Sequence, residues 1–120
     1  MSPQAKPAVR VANPSDDPLA GDLELRKELA AMFLEDCPKL LSEIQAAMTH
    51  HDGPSLKLAA HTLKGSAGVF KVQPAFDAAL RMEHIGKDCD WDHADAAWES
   101  VNGEMARLSA TLAGEATSSD

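Results

Sequence analysis

The stretch Trp91–Leu112, WDHADAAWESVNGEMARLSATL, decides the fold. Its apolar positions are Trp91, Ala94, Trp98, Val101, Met105, Leu108 and Leu112, spaced alternately by three and four residues. Side chains at those intervals return to one face of an α-helix, so the stretch predicts a long amphipathic helix with a core-facing stripe. Asp90 stands where an N-cap would accept the first unpaired amides. Tryptophan and methionine on such a stripe read as core.

Working back along the chain, residues 22–50 repeat the pattern with Leu25, Leu29, Phe33, Cys37, Leu40, Ile44 and Met48. Pro38 has no amide proton and restricts the residue before it, which predicts a break near Asp36–Cys37. A short helix over about 22–35 and a longer one over about 37–50 follow. His50-His51-Asp52-Gly53 reads as a turn, and Pro54 suits the first turn of the next helix, where its missing donor costs nothing. That helix carries the stripe Leu56, Ala60, Leu63, Ala67, Phe70. Pro74 opens another, to about Lys87. Strand signals are absent: there is no tyrosine and no alternating run. Short connections make neighbours antiparallel, so the expected architecture is all-α: an up-down-up-down four-helix bundle with a short extra N-terminal helix.

Both ends read differently. Residues 1–21 hold four of the seven prolines, with alanine, serine and Asp16-Asp17, and read as a disordered linker. Residues 113–120 read as a disordered tail. The folded part is then residues 22–112, one modest core without room for a deep catalytic cleft. A linker at each end suggests a module of a longer protein. The net charge of −8 argues against nucleic acid or an anionic membrane as partner. No apolar run approaches the roughly 20 residues of a membrane span, and no basic-then-apolar leader opens the chain, so a cytoplasmic setting is expected. Cys37 and Cys89 have neither a zinc nor a redox spacing and read as ordinary thiols.

One helix carries more than packing. At about 100° per residue, the stripe from Leu56 to Phe70 covers about 80° of its helix, and His61 lies about 140° from the stripe's centre. Lys57, Leu58, Lys64, Gly65 and Gly68 share that outer side. Each glycine inside a helix costs about 1 kcal/mol relative to alanine. Gly65 or Gly68 could be a C-cap that ends the helix, but Phe70 continues the stripe beyond them and argues against an end at Gly65. The other explanation is that a partner must approach the backbone closely. Leu58 beside the bare strip fits a docking surface.

The chemistry follows from the ring. A solvated imidazole keeps a free nitrogen lone pair at neutral pH and attacks phosphorus without a separate base. The phosphoimidazole that results can pass its group onward. Lys64 and Lys57 are helix neighbours of His61, and their charge would offset phosphoryl oxygens.

The run His61-Thr62-Leu63-Lys64-Gly65-Ser66-Ala67 resembles the signature of histidine-containing phosphotransfer (HPt) domains of two-component phosphorelays, and the resemblance extends over residues 22–112. Met82-Glu83 resembles the apolar-acidic pair of that family's following helix, although Glu83 by itself reads as a solvated or hydrogen-bonded helix residue. The resemblance implies a relay between receiver domains of response regulators. It makes His61 the phosphorylated residue, at Nε2, Lys64 the stabiliser of the phosphoryl group, and Gly65 the clearance for the receiver. It further implies a module with no kinase activity and no cofactor of its own, since magnesium belongs to the receiver. Similar domains often sit at the carboxyl end of membrane-bound hybrid sensor kinases. A monomer without direct membrane contact is expected. The family commonly has glycine where Lys71 stands here, which leaves the turn from Lys71 to Gln73 open.

Three rival readings are weaker. A metal-binding bundle could draw on His50, His51, Asp52, His61, His84 and His93, but paired Glu-x-x-His motifs and a His-Glu-x-x-His run are missing, so no metal site is expected. An autokinase segment would place an acidic residue and then proline soon after the histidine, whereas Thr62 follows and the next proline is Pro74. A helical adaptor with an incidental histidine would dock a partner without phosphotransfer.

Overall fold

The computed structural model describes residues 23–117, with side chains through residue 115. Four helices follow one another: α1 Leu23–Thr49, α2 Gly53–Gly68, α3 Gln73–Asp88 and α4 Ala94–Thr117, the last preceded by a 3₁₀ turn over Trp91–His93. Each helix packs on its sequence neighbour and α4 returns to α1, closing a four-helix bundle. The expected linker over residues 1–21 lies outside the described residues.

The stripes read from sequence form the core. Leu56, Ala60, Leu63, Ala67 and Phe70 of the His61 helix and its end are all buried, as are Val101, Met105, Leu108 and Leu112 of α4. Trp91 and Trp98 pack against them from the edge. Phe70 meets Phe33 edge-on, with ring centroids 5.8 Å apart.

Three expectations need correction. The break at Asp36–Cys37 is absent, and the expected short N-terminal helix is the first half of a continuous 27-residue α1 with Pro38 inside it. Pro38 is exposed, while Phe33, Cys37, Ile44 and Ala47 keep one buried phase on both sides of it. Burial of that continuous stripe outweighs the roughly 3 kcal/mol that an interior proline costs. Secondly, α4 runs on to Thr117, so residues 113–117 are helix rather than tail. Glu115 there bonds Arg26 of α1, with Arg26 Nε 2.9 Å from Oε1. The remainder of the expected tail, 118–120, lies outside the described residues. Thirdly, the Asp90 carboxylate makes no capping bond to an amide and sits instead 2.8 Å from His93 Nδ1.

The start of α2 is fixed by Asp52, which accepts from the Ser55 amide at 3.2 Å and from its hydroxyl at 2.7 Å. With Pro54 in the first turn, this sets the helix phase that carries His61 outward. At the same end of the bundle α2 and α3 touch backbone to backbone. A Cβ added to Gly86 would lie 2.6 Å from the Lys57 nitrogen and 2.9 Å from the Gly53 carbonyl oxygen. Only glycine allows that approach.

Three turns use left-handed residues that are not glycine, the first at His51 with φ 51°. Cys89 ends α3 at φ 53°, with the Asp90 amide donating to the Ile85 carbonyl at 3.0 Å. Lys71, after α2, has φ 61°. The position where the resembling family commonly carries glycine is therefore one whose backbone calls for it. Both cysteines are free, and burial pushes the Cys37 thiol up from its ordinary value.

Candidate functional site

The outer faces of α2 and α3 meet along an antiparallel seam, and three polar side chains converge there. His61 is held by its Nδ1, 3.2 Å from Glu83 Oε2. Lys64, one turn along α2, places Nζ 2.8 Å from Glu83 Oε1. The His61 side chain is 62 % exposed, against 19 % for Lys64 and 14 % for Glu83. One nearly buried carboxylate thus anchors an accessible ring and a largely covered ammonium.

Glu83 reaches this position because Met82 beside it is fully buried in the core, which turns the next residue to the seam. Its carboxyl is held below the usual carboxylate range. The Lys64 ammonium is the largest cause, burial works against it, and His61 adds to the lowering. The Lys64 contact is a close ion pair to a single carboxylate oxygen, with the ammonium 2.8 Å from Oε1. That oxygen is itself buried.

The tautomer of His61 follows. An ionised carboxylate only accepts, so Nδ1 must be the protonated, donating nitrogen. The lone pair is then on Nε2, the ring nitrogen that Glu83 does not hold. A positive charge developing on the ring is met by the carboxylate behind it.

The other sequence candidates fall into separate surroundings. Gly65 is exposed, and a Cβ there would meet nothing within 4 Å among the described residues. Gly68 is half-buried, and its Cβ would come 3.3 Å from Phe76 Cδ1 on α3. Its missing side chain answers to a neighbour within the chain. The helix runs through Gly65 and ends at Gly68 without a left-handed glycine. Lys57 is exposed and pairs with no carboxylate among the described residues, so Lys64 alone joins His61 and Glu83. Leu58 is 67 % exposed on the rim of an open groove of about 590 Å³ between α1 and α2, also lined by Leu40, Ala46 and Thr62.

Reading the sequence missed Glu83 as a member of the site, and Phe76 altogether. The signal for Glu83 was its place after a core methionine on the next helix. Its distance from His61 depends on the helix-pair register, which no local pattern shows. Among the described residues no group of three or more His, Cys, Asp or Glu comes together as a metal site would require. No helix there is long and apolar enough to cross a membrane.

A model of the Hpt domain family matches residues 28–111, most of the chain. The chain belongs to the Hpt domain family. It is therefore a phosphorelay histidine-phosphotransfer module, of a kind that works with receiver domains and has no kinase activity of its own. No curated protein and no solved structure matches it significantly. The all-α four-helix bundle agrees with membership of the Hpt family.

Proposed function

We propose that His61 accepts a phosphoryl group from an aspartyl phosphate on one receiver domain and returns it to an aspartate on another. The Nε2 lone pair attacks phosphorus in line with the bond to the aspartyl oxygen. The N–P bond forms as that P–O bond breaks, and its electron pair stays with the departing carboxylate. Nδ1 keeps its proton, so the phosphorylated ring is cationic and Glu83 balances it. Transfer onward reverses these events: an aspartate oxygen attacks, the N–P bond breaks, and the lone pair returns to Nε2.

Lys64 lies one turn from His61 and would exchange its Glu83 partner for the phosphoryl oxygens as they arrive. Lys57, one turn before His61 and without an ion-pair partner among the described residues, adds a further positive charge. Gly65 gives the receiver backbone-level access to the histidine, and Leu58 with its groove offers the apolar contact. Gly68 also lies on the outer strip and contributes bare backbone at its edge.

The observation that carries the reading is an exposed imidazole whose second nitrogen is pinned by a carboxylate and whose helix is bare one turn on. Incubation with a receiver domain phosphorylated on its aspartate should give an acid-labile, base-stable label that disappears in His61→Gln. ATP alone should give none. Strong labelling by ATP, or a label that survives His61→Gln, contradicts the proposal.

A further inference from the structure

Lys64 and Lys57 flank the same histidine, yet the structure treats them differently. Lys57 is exposed, and among the described residues it has no ion-pair partner. Lys64 is largely covered, and two groups on α3 cover it. Glu83 takes the ammonium at 2.8 Å, and the Phe76 ring lies beneath it with the centroid 5.9 Å from Nζ. Phe76 and Glu83 are seven residues apart on α3, so they lie on one side of that helix two turns from each other.

The ring has room there because of Gly68. That residue is one turn beyond Lys64 on α2, and a Cβ on it would already press on Phe76 Cδ1 at 3.3 Å. A larger residue at 68 would push the ring away from the seam. Gly65 has no such neighbour. Thus the two glycines of the strip have different uses, and only one of them concerns the chain's own packing.

We propose that Phe76, seated against Gly68, is a positioning residue that holds the Lys64 ammonium beside His61. A lysine has four rotatable carbons and pays for any fixed geometry in rotamer freedom. An aromatic face attracts an ammonium and shields its stem from water. The contact with one Glu83 oxygen fixes the ammonium at a single point. The ring supplies the missing side of the seat. Loss of the ring leaves His61 and Glu83 in place and frees the lysine to point into solvent, which lowers the fraction of molecules ready to receive phosphoryl oxygens.

The inference rests on the phosphotransfer reading, and its test uses the full chain with potassium phosphoramidate as a small phosphoryl donor, so that no receiver is needed. Labelling rates are compared for the wild type, Phe76→Leu, Lys64→Gln and the double variant. Phe76→Leu should slow labelling by roughly two- to five-fold, the range that a cation–π contact of ordinary strength represents. The same change in the Lys64→Gln background should have no effect, and Phe76→Tyr, which keeps the ring face, should restore the wild-type rate. An equal loss in both backgrounds, or no loss in either, overturns the proposal.

A second measurement needs no variant. In the wild-type NMR spectrum the Lys64 side-chain methylene protons should be shifted upfield by the ring current of Phe76. Unshifted protons would overturn the seat even if Phe76→Leu fails to fold. A wild-type chain that takes no label on His61 while showing the ring-current shift would refute phosphotransfer and leave the seat standing.

Discussion

The α2–α3 seam has a closed end and an open flank, and glycine serves both. At the closed end Gly53 and Gly86 let two backbones meet, with no space for even one carbon atom more. On the open flank a Cβ on Gly65 would meet nothing within 4 Å among the described residues, and the ring of His61 stands exposed one turn away. The first pair holds the helices at a fixed separation, and that separation carries Glu83 within reach of His61 and Lys64. The second gives up helix stability for access. A glycine's role is therefore set by what its missing side chain would strike.

Substitutions at the two places should move stability in opposite directions, which is the sharpest way to break the comparison. Gly86→Ala should cost about 3 kcal/mol, the upper part of the range for forcing a carbon into a packed contact. The atoms it meets are backbone, at 2.6 and 2.9 Å, and cannot turn aside. Thermal melts measure this directly, and a loss below about 0.5 kcal/mol would mean the helices separate without difficulty. Gly65→Ala should instead raise stability by up to about 1 kcal/mol, the propensity gain at an unobstructed helix position.

The open flank has its own test. Gly65→Leu should leave far-UV dichroism unchanged and slow transfer from a phosphorylated receiver at least about ten-fold, equivalent to roughly 1.4 kcal/mol of lost complementarity. Labelling by a small phosphoryl donor should be nearly unaffected, because such a donor needs no backbone-level approach. If the receiver reaction is as fast as before, the clearance assigned to Gly65 is wrong.

How much of this contrast could be read from the sequence depends on the range of the interaction. The α4 stripe and the His61 stripe were legible because helix periodicity is local and one face of each had to be buried. His61, Leu58 and Gly65 were legible as exposed for the same reason. Pro38 misled because its local cost is real, and only the continuous burial of Phe33, Cys37, Ile44 and Ala47 across it overrides that cost. The end of α4 was misread because a run of small and polar residues gives no periodic signal, while Arg26 ties Glu115 down from 89 positions away. Glu83 and Phe76 were missed as members of the site because both depend on how α3 lies against α2. Likewise Gly65 and Gly68 look alike in the sequence and differ only in what stands opposite them.

Acid should loosen the anchor at the site without touching the closed end. The Glu83 carboxyl titrates below its ordinary value of 4.5 in the folded chain, chiefly through Lys64. Above the unfolded value both states are ionised, and the stabilisation from this group is fully present. As the pH falls, the unfolded chain takes up its proton first, so the contribution shrinks and is gone below the folded value. The stability difference between wild type and Glu83→Gln should therefore be constant at neutral pH and narrow below about pH 4.5. A difference that widens on acidification would show that Glu83 is not held as an ion by its neighbours. Glu115, lowered chiefly by Arg26, should add a second acid-sensitive contribution of the same sign.

The smallest effect belongs to the turn that joins the two helices of the seam. Lys71 holds φ 61°, a conformation in which an L side chain crowds its own backbone and glycine does not. Lys71→Gly should stabilise the fold by about 1 kcal/mol, the lower figure for a left-handed non-glycine residue, less the greater freedom that glycine gives the unfolded chain. It also removes one positive charge beyond the end of α2, so transfer and stability should be measured together. Raised stability with unchanged transfer means the lysine is tolerated by the turn and unused by the site. Raised stability with slower transfer would instead give Lys71 an electrostatic part in receiver docking, and the strain in its backbone would then be retained for the charge that the open flank presents.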